Sequence, residues 1–161
     1  MCLYKTKIIY NTKGFYLWES KDFLDHFLVC DGKILCFYKE SEFENYINNN
    51  GLSVIDEDTV FKIISKKELI FLKQKDTTSF CNTMLDTWNL AIDIKNSFSN
   101  KENLLDGHKR LYDKIFHGCN LECITAPDAK YIPQFSTLEN RQIRAIINES
   151  YKWFDCKLEQ F

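Results

Sequence analysis

The rhythm of apolar and polar positions changes near residue 40. Before it, apolar runs are short, aromatic and β-branched, and turn residues separate them. After it, apolar residues recur at steps of three and four, the spacing of one helix face. Residues 3–10, rich in Tyr, Thr and Ile, predict a strand. Asn11-Thr12-Lys13-Gly14 predicts a turn into a second strand over 15–19. Phe27-Leu28-Val29-Cys30 and Lys33-Ile34-Leu35-Cys36-Phe37-Tyr38 flank Asp31-Gly32, a pair that accepts the positive φ of a tight hairpin turn. Both flanking runs are apolar almost throughout, so this hairpin is expected at the buried centre of a sheet.

Helical signals follow. Ser41 and Glu44 have the spacing of a capping box, Phe43, Tyr46 and Ile47 share a face, and Asn50-Gly51 supplies a stop. Asp56-Glu57-Asp58 would suit the positive end of a short helix running through Val60, Phe61, Ile63 and Ile64. The stretch 67–73, with Leu69-Ile70-Phe71-Leu72 inside, fits either strand or helix. The clearest helix is capped by Asp76 and runs to about Phe98, with Phe80, Met84, Trp88, Ala91 and Ile92 in one apolar stripe and Leu85 beside it. Another helix ends at Gly118 and turns Leu104, Leu105, Leu111, Tyr112, Ile115 and Phe116 inward. A loop with Pro127 and Pro133 leads to a last helix, opened by a Ser136/Glu139 box and buried along Ile143, Ile147, Tyr151, Phe154 and Leu158. Strands followed by helices predict an α+β fold, an N-terminal antiparallel β-sheet of hairpins packed against a C-terminal layer of α-helices. The expected organisation is one domain over 1–161, mostly strands over 1–38 and mostly helical over 41–161.

Composition narrows the classes. With 45% apolar and 15% aromatic residues the chain can build a core, which excludes intrinsic disorder. Five Gly and two Pro leave little for flexible linkers. No apolar run approaches the ~18 residues of a membrane span. Met1-Cys2-Leu3-Tyr4-Lys5 lacks the apolar core of a secretion signal, so a cytoplasmic protein is expected. The seven cysteines, an odd number, then read as reduced thiols, most of which should serve as small core hydrophobes. Net charge is −2, and the only arginines are Arg110, Arg141 and Arg144, a poor endowment for direct nucleic-acid binding.

Catalytic signatures are sparse. The phosphate-cradling glycine loops, the G-x-S-x-G elbow and the H-E-x-x-H helix are all missing. His117, Cys119 and Cys123 form the one close His/Cys group, and it lacks a fourth ligand, so neither metal nor cofactor is expected. Cys119 with His108 or His117 is the available nucleophile–base pairing, and only the fold can bring such a pair together.

Two polar features remain. Asn82, Asp86, Asn89, Asp93 and Asn96 line the helix face opposite the apolar stripe. This stripe fits a solvated face, a hydrogen-bonded contact with the Tyr112-Asp113-Lys114 helix in which Lys114 pairs with Asp86 or Asp93, or a binding surface. Charge is also segregated. Glu40, Glu42, Glu44, Asp56, Glu57 and Asp58 occupy 40–58 without a base, while five lysines and Glu68 occupy 62–75. Such blocks are either solvated faces or patches that steer a partner of opposite charge.

Asp86-Thr87-Trp88-Asn89-Leu90-Ala91-Ile92-Asp93, then Leu111-Tyr112-Asp113-Lys114-Ile115-Phe116-His117-Gly118-Cys119-Asn120-Leu121, then Thr125-Ala126-Pro127 and Tyr131-Ile132-Pro133 occur in that order. The series resembles a family of bacterial immunity proteins from polymorphic toxin and contact-dependent growth inhibition systems. That family shows a W-N-L-x-x-D helix, a Y-D-K-[LI]-F-x-G-x-N-L segment and a Y-x-P loop before a final helix. The resemblance covers residues 84–135 and departs at His117 and Cys119, where the family has an aromatic and a polar residue. It implies a protein that binds the C-terminal domain of a cognate toxin in the cytosol and neutralises it without catalysis, by covering the active site or blocking substrate access. An acidic surface would suit the basic groove of a nuclease toxin. Glu40, Glu42, Glu44, Asp56, Glu57 and Asp58 are then the first candidates for toxin contact, with Asn82, Asp86 and Asp93 second. Trp88, Asn89, Tyr112, Asp113, Lys114, Phe116, Gly118 and Asn120 carry the motif as scaffold. Trp88 and Phe116 are expected in the core, and Asn120 is expected to satisfy loop backbone. The rival classes are a small hydrolase or transferase using Cys119, and a structural or adaptor subunit.

Overall fold

In the computed structural model, which describes residues 2–21, 24–98, 107–126 and 128–158, the chain opens with a long hairpin. Strands β1 (Cys2–Tyr10) and β2 (Thr12–Lys21) pair antiparallel from Cys2↔Ser20 to Tyr10↔Thr12. The turn expected over 11–14 contracts to Asn11 alone, at φ 48°, a conformation its short polar side chain tolerates. Gly14 lies inside the strand instead. A Cβ there would stand 2.8 Å from both the Tyr16 ring and Cys36 Sγ, so glycine is what admits the ring.

Strand β3 (Leu24–Phe27) adds antiparallel to β2. Asp31 and Gly32, at φ 52° and 76°, turn the chain between β4 (Val29–Cys30) and β5 (Lys33–Ile34), as the residue pair predicts. The expected place of that hairpin is wrong. It is a separate two-stranded ribbon, not a sheet centre, and Val29, Cys30 and Lys33 are exposed. The Leu28 carbonyl still accepts from the Leu35 amide at 2.8 Å, but the Leu28 amide turns to the Leu17 carbonyl at 3.0 Å, so the ladder ends after two pairs. Phe27 and Ile34 turn into the core from its base. Beyond the ribbon, β6 (Cys36–Phe37) returns to pair with Phe15 and Tyr16 of β2.

The short helix expected from Asp56 is a strand, β7 (Val54–Lys62), lying parallel to β1. Ile55, Thr59 and Val60 are β-branched and suit a sheet, and the free edge of β1 supplies a partner the local sequence does not announce. The register jumps from Tyr4↔Ile55 to Thr6↔Thr59, so the extra backbone of 56–58 is taken up as a bulge. The sheet order is β3-β2-β1-β7, and the sheet is mixed rather than wholly antiparallel.

Because side chains alternate across a pleat, the paired registers sort the sheet into two faces. Leu3, Phe15 and Leu17 form one buried cluster with Phe43 of α1 (Glu40–Asn49), and Tyr46 and Ile47 flank it. On the other face are Tyr4, Thr6, Ile8, Tyr10, Tyr16, Trp18 and Phe27. There the Phe27 amide donates to Ser97 Oγ at 2.8 Å, and Asn96 Nδ2 donates to the Asp25 carbonyl at 3.2 Å. Phe154 meets the Tyr10 ring edge-on at 5.7 Å. Helical segments therefore cover both faces, because α1 takes the one that the later helices leave open.

The Ser41/Glu44 box does not form. Helix α1 starts two residues earlier than that box requires, with Lys39 at the N-cap and no side-chain cap. Gly51, at φ 59°, follows its end as expected. A full box forms at Ser65 and Glu68, which makes the open stretch 67–73 part of helix α2 (Lys66–Lys75). The Asp76 carboxylate accepts from the Ser79 amide and hydroxyl at 3.1 and 2.6 Å, at the start of α3 (Thr77–Ser97). Helix α4 is Lys109–Gly118. The Ser136/Glu139 box opens α5 (Thr137–Lys157), with bonds of 2.6 and 3.2 Å. Phe80, Met84, Trp88 and Ala91 of α3 are fully buried, as are Ile143, Ile147, Tyr151, Phe154 and Leu158 at the last helix. Leu104, Leu105 and Pro127 lie outside the described residues.

The fold is α+β, and its contacts divide the chain into two compact units. The first is Met1–Ile63 with Ala91–Lys101 and Lys152–Phe161, and contains the sheet and α1. The second is Ile64–Leu90 with Glu102–Tyr151, and is helical. Among the described residues, no helix is long and apolar enough to cross a membrane.

Candidate binding surfaces

The segment that carries the immunity-protein resemblance folds around Gly118 and Asn120. Helix α4 ends at Gly118, where a Cβ would stand 2.5 Å from Cys81 Sγ and 2.8 Å from Pro133 Cγ. Only glycine admits that approach. Two residues on, Asn120 adopts φ 49°, which aims its amide across the following loop. Its Oδ1 accepts from the Tyr131 amide at 2.7 Å, and its Nδ2 donates to the Tyr131 carbonyl at 2.9 Å. The same Nδ2 reaches the Gly118 carbonyl at 3.0 Å and Thr78 Oγ1 at 3.2 Å. Asn120 thus imitates a backbone bridge and closes the base of the loop, the role expected of it.

That loop displays apolar side chains to solvent. Ile124, Tyr131 and Ile132 are 55%, 42% and 61% exposed. A cleft of about 490 Å³ is lined by His117, Ile124, Thr125, Ala126, Ala129 and Tyr131. Sequence reading missed these exposed residues because apolar residues beside a proline look like loop packing.

The remaining motif residues are internal supports. Trp88 is fully buried with the Tyr112 ring edge-on at 5.3 Å, and Tyr112 donates to Asn89 Oδ1 at 2.9 Å. Asp113 accepts from Lys109 one turn earlier, at 2.8 and 2.9 Å. Lys114 does not pair with Asp86 or Asp93. It bonds Glu139 at 2.8 and 2.9 Å, a carboxylate that the cap of α5 already orients. Phe116 is half-buried against the His117 ring rather than in the core.

The polar stripe of α3 is not one surface. Asn82 Nδ2 donates to the Thr78 carbonyl at 3.0 Å and to the Cys119 carbonyl at 3.4 Å. Asn89 holds Tyr112, and Asn96 holds β3. Asp93 is half-buried; burial, reinforced by Asp25, pushes its carboxyl up to about 8. Asp86 alone among the second-line candidates is exposed.

Glu40, Glu42 and Glu44 are all exposed on α1. The base that the local sequence lacks arrives from β1. Lys5 Nζ meets Glu40 at 2.5 Å, and this bond, aided by Lys7 and Lys13, holds the carboxyl below the usual range. Glu42 meets Lys39 at 3.4 Å. The backbone of Asp56, Glu57 and Asp58 lies in β7, and their side chains lie outside the described residues. One buried pair went unread in the sequence: Glu19, 5% exposed, meets His26 Nε2 at 3.0 Å because the register places them opposite each other.

Against the expectation of core thiols, Cys2, Cys30, Cys123 and Cys156 are exposed, and only Cys81 and Cys119 are buried, where they are poorly placed for nucleophilic work. Cys119 is buried, its Sγ donates to the Ile115 carbonyl at 3.4 Å, and burial with nearby Asp86 pushes it up to about 11. Burial also pushes Cys81 up to about 12. A thiolate, the reactive form, is therefore scarce at neutral pH at both sites. His108 packs against Trp88 at 6.4 Å between ring centroids, while His117 is exposed at the cleft. Among the described residues, no group of three or more His, Cys, Asp or Glu side chains is arranged to hold a metal ion. Compared with family models, with curated proteins and with solved structures, the chain matches none.

Proposed function

We propose that this chain is an immunity protein: it binds a toxin domain in the cytoplasm of the bacterium that makes it, and neutralises that toxin by covering its active site or the path of its substrate. The observation that carries the reading is the loop closed by Asn120, which presents Ile124, Tyr131 and Ile132 to solvent around a cleft. A fixed loop with exposed apolar side chains suits a protein partner, since desolvated apolar and aromatic anchors supply most binding energy at interfaces. The motif series over 84–135 supports the same reading. The acids of α1 supply a second feature, an exposed charged patch of the first unit that speeds encounter with a cationic partner. The chain works here as a binding protein, without catalysis or cofactor.

The test uses the full chain and the toxin domain encoded beside it. Growth rescue and association rate are measured for wild type, for Ile132→Asp, and for Glu40→Lys, Glu42→Lys and Glu44→Lys combined. Ile132→Asp should weaken binding by about tenfold or more with an unchanged melting temperature, as for an interface anchor worth ~1.4 kcal/mol. The triple reversal should slow association and flatten its dependence on salt. Failure of the wild-type chain to bind or rescue against that toxin overturns the reading.

A further inference from the structure

The second unit contains a cavity outside the motif segment. Helices α2, α3 and α5 enclose about 280 Å³, with Ile70, Phe80, Ile143 and Ile147 among its lining and two cations, Lys73 and Arg144, also lining it. Phe80, Ile143 and Ile147 are buried, Lys73 is half-buried and Arg144 is exposed. The cavity shares no lining residue with the cleft at His117.

The two cations are not neutralised. Neither Lys73 nor Arg144 makes an ion pair or hydrogen bond among the described residues. Lys73 Nζ lies 4.9 Å from the Phe135 centroid and 5.8 Å from that of Phe80, so aromatic faces are the groups that meet it directly. Glu139, the acid whose field reaches Lys73, is already bonded to Lys114 and to the Ser136 amide. Burial and the repulsion of Arg144 both push Lys73 below the usual lysine range. A half-buried cation repelled by a second cation, with no carboxylate bonded to either, is an arrangement that costs free energy until an anion arrives.

We infer that this cavity binds a small amphipathic organic anion, its acid group between Lys73 and Arg144 and its apolar body against Phe80, Ile143 and Ile147. The apolar floor and the paired cations select both properties together. The volume of about 280 Å³ corresponds to roughly nine water molecules at ~30 Å³ each, a size that suits a chain of about eight carbons. The inference is independent of the toxin reading and survives its failure.

The probe is octanoate, titrated into the isotope-labelled full chain while backbone amide shifts are recorded. Octanamide, which keeps the apolar body, and acetate, which keeps the charge, are titrated alongside. Saturable shifts at 70–80 and 140–147 are expected, with a Kd on the order of 1 mM, the range of a single small ligand. Octanamide and acetate should each bind at least about tenfold more weakly, since each lacks one of the two recognised groups. Lys73→Gln and Arg144→Gln should each weaken octanoate about tenfold, whereas Lys73→Arg should stay within about threefold. Both glutamine variants should melt no lower than wild type, because they remove one of two like charges. The inference is overturned if octanoate gives no saturable shift in these segments, or if octanamide binds equally well. The octanoate–octanamide comparison on wild type decides the matter even where a variant folds poorly.

Discussion

Asn120→Ala is the sharpest probe of the segment around which the binding surface is built. The substitution removes the two bonds to Tyr131, at 2.7 and 2.9 Å, and the shared contacts to Gly118 and Thr78. At a net worth of ~0.5–1.5 kcal/mol per bond, the Tyr131 pair contributes about 1–3 kcal/mol. Alanine must also adopt φ near 49°, where a Cβ without a local polar partner costs about 1 kcal/mol more. The expected loss is therefore about 2–4 kcal/mol. Asn120→Gly separates the two contributions. It loses the same bonds but accepts the positive φ freely, so it should be about 1 kcal/mol milder than alanine. Urea unfolding measures both variants, and hydrogen exchange at the Tyr131 amide reports the loop directly. Tyr131 should lose protection in both variants, while amides of α5 lose only what the global destabilisation dictates. A loss below about 0.5 kcal/mol, or equal losses for alanine and glycine, would refute the account of Asn120 as a bridge.

Two further outcomes follow from buried groups. Asp93 has a folded-state value of about 8, against an ordinary value near 4, so the folded chain holds a proton there that the unfolded chain releases. Its share of stability is therefore present below about pH 4 and lost as pH rises to about 8, at up to ~1.4 kcal/mol per pH unit. Asp93→Asn should flatten the urea midpoint over that window and raise stability at pH 8; an unchanged slope would refute the assignment. Trp88→Ala should destabilise by about 3–5 kcal/mol in thermal unfolding, as for a fully buried aromatic. Trp88→Phe should cost far less, because Trp88 Nε1 has no hydrogen-bond partner to lose; equal losses for the two would show that the indole nitrogen matters.

The features legible in the sequence are those whose partners lie within about one turn of chain. Asp31-Gly32 needed only its own φ preferences to make a tight turn, and Gly51 only its own to follow the end of α1. Asp76 with Ser79, and Ser136 with Glu139, satisfied helix ends from three residues away. The stripes of α3 and α5 announced their buried faces through a period of 3.6 residues. Strands before long helices were enough for α+β. Asn120 was readable because a helix stop followed by Asn is itself a local loop signal.

Tertiary structure decided whatever depended on an unseen neighbour. The acids 56–58 offered a helix start, but pairing of Val54–Lys62 with β1, some fifty positions earlier, brought a ladder of backbone bonds that outweighed it. Ser41/Glu44 and Ser65/Glu68 carry the same local signature, yet only the second became a box, because α1 took Lys39 as its N-cap, two residues early. Lys114 chose Glu139 over Asp86 and Asp93, and Glu40 found Lys5, by proximity across the fold rather than along the chain. Lys73 and Arg144 met only because α2 and α5 line one cavity. Local conformational preferences are properties of a few adjacent residues and can be read from them. Long-range pairings depend on which distant surfaces close together, and that closure is a property of the whole chain.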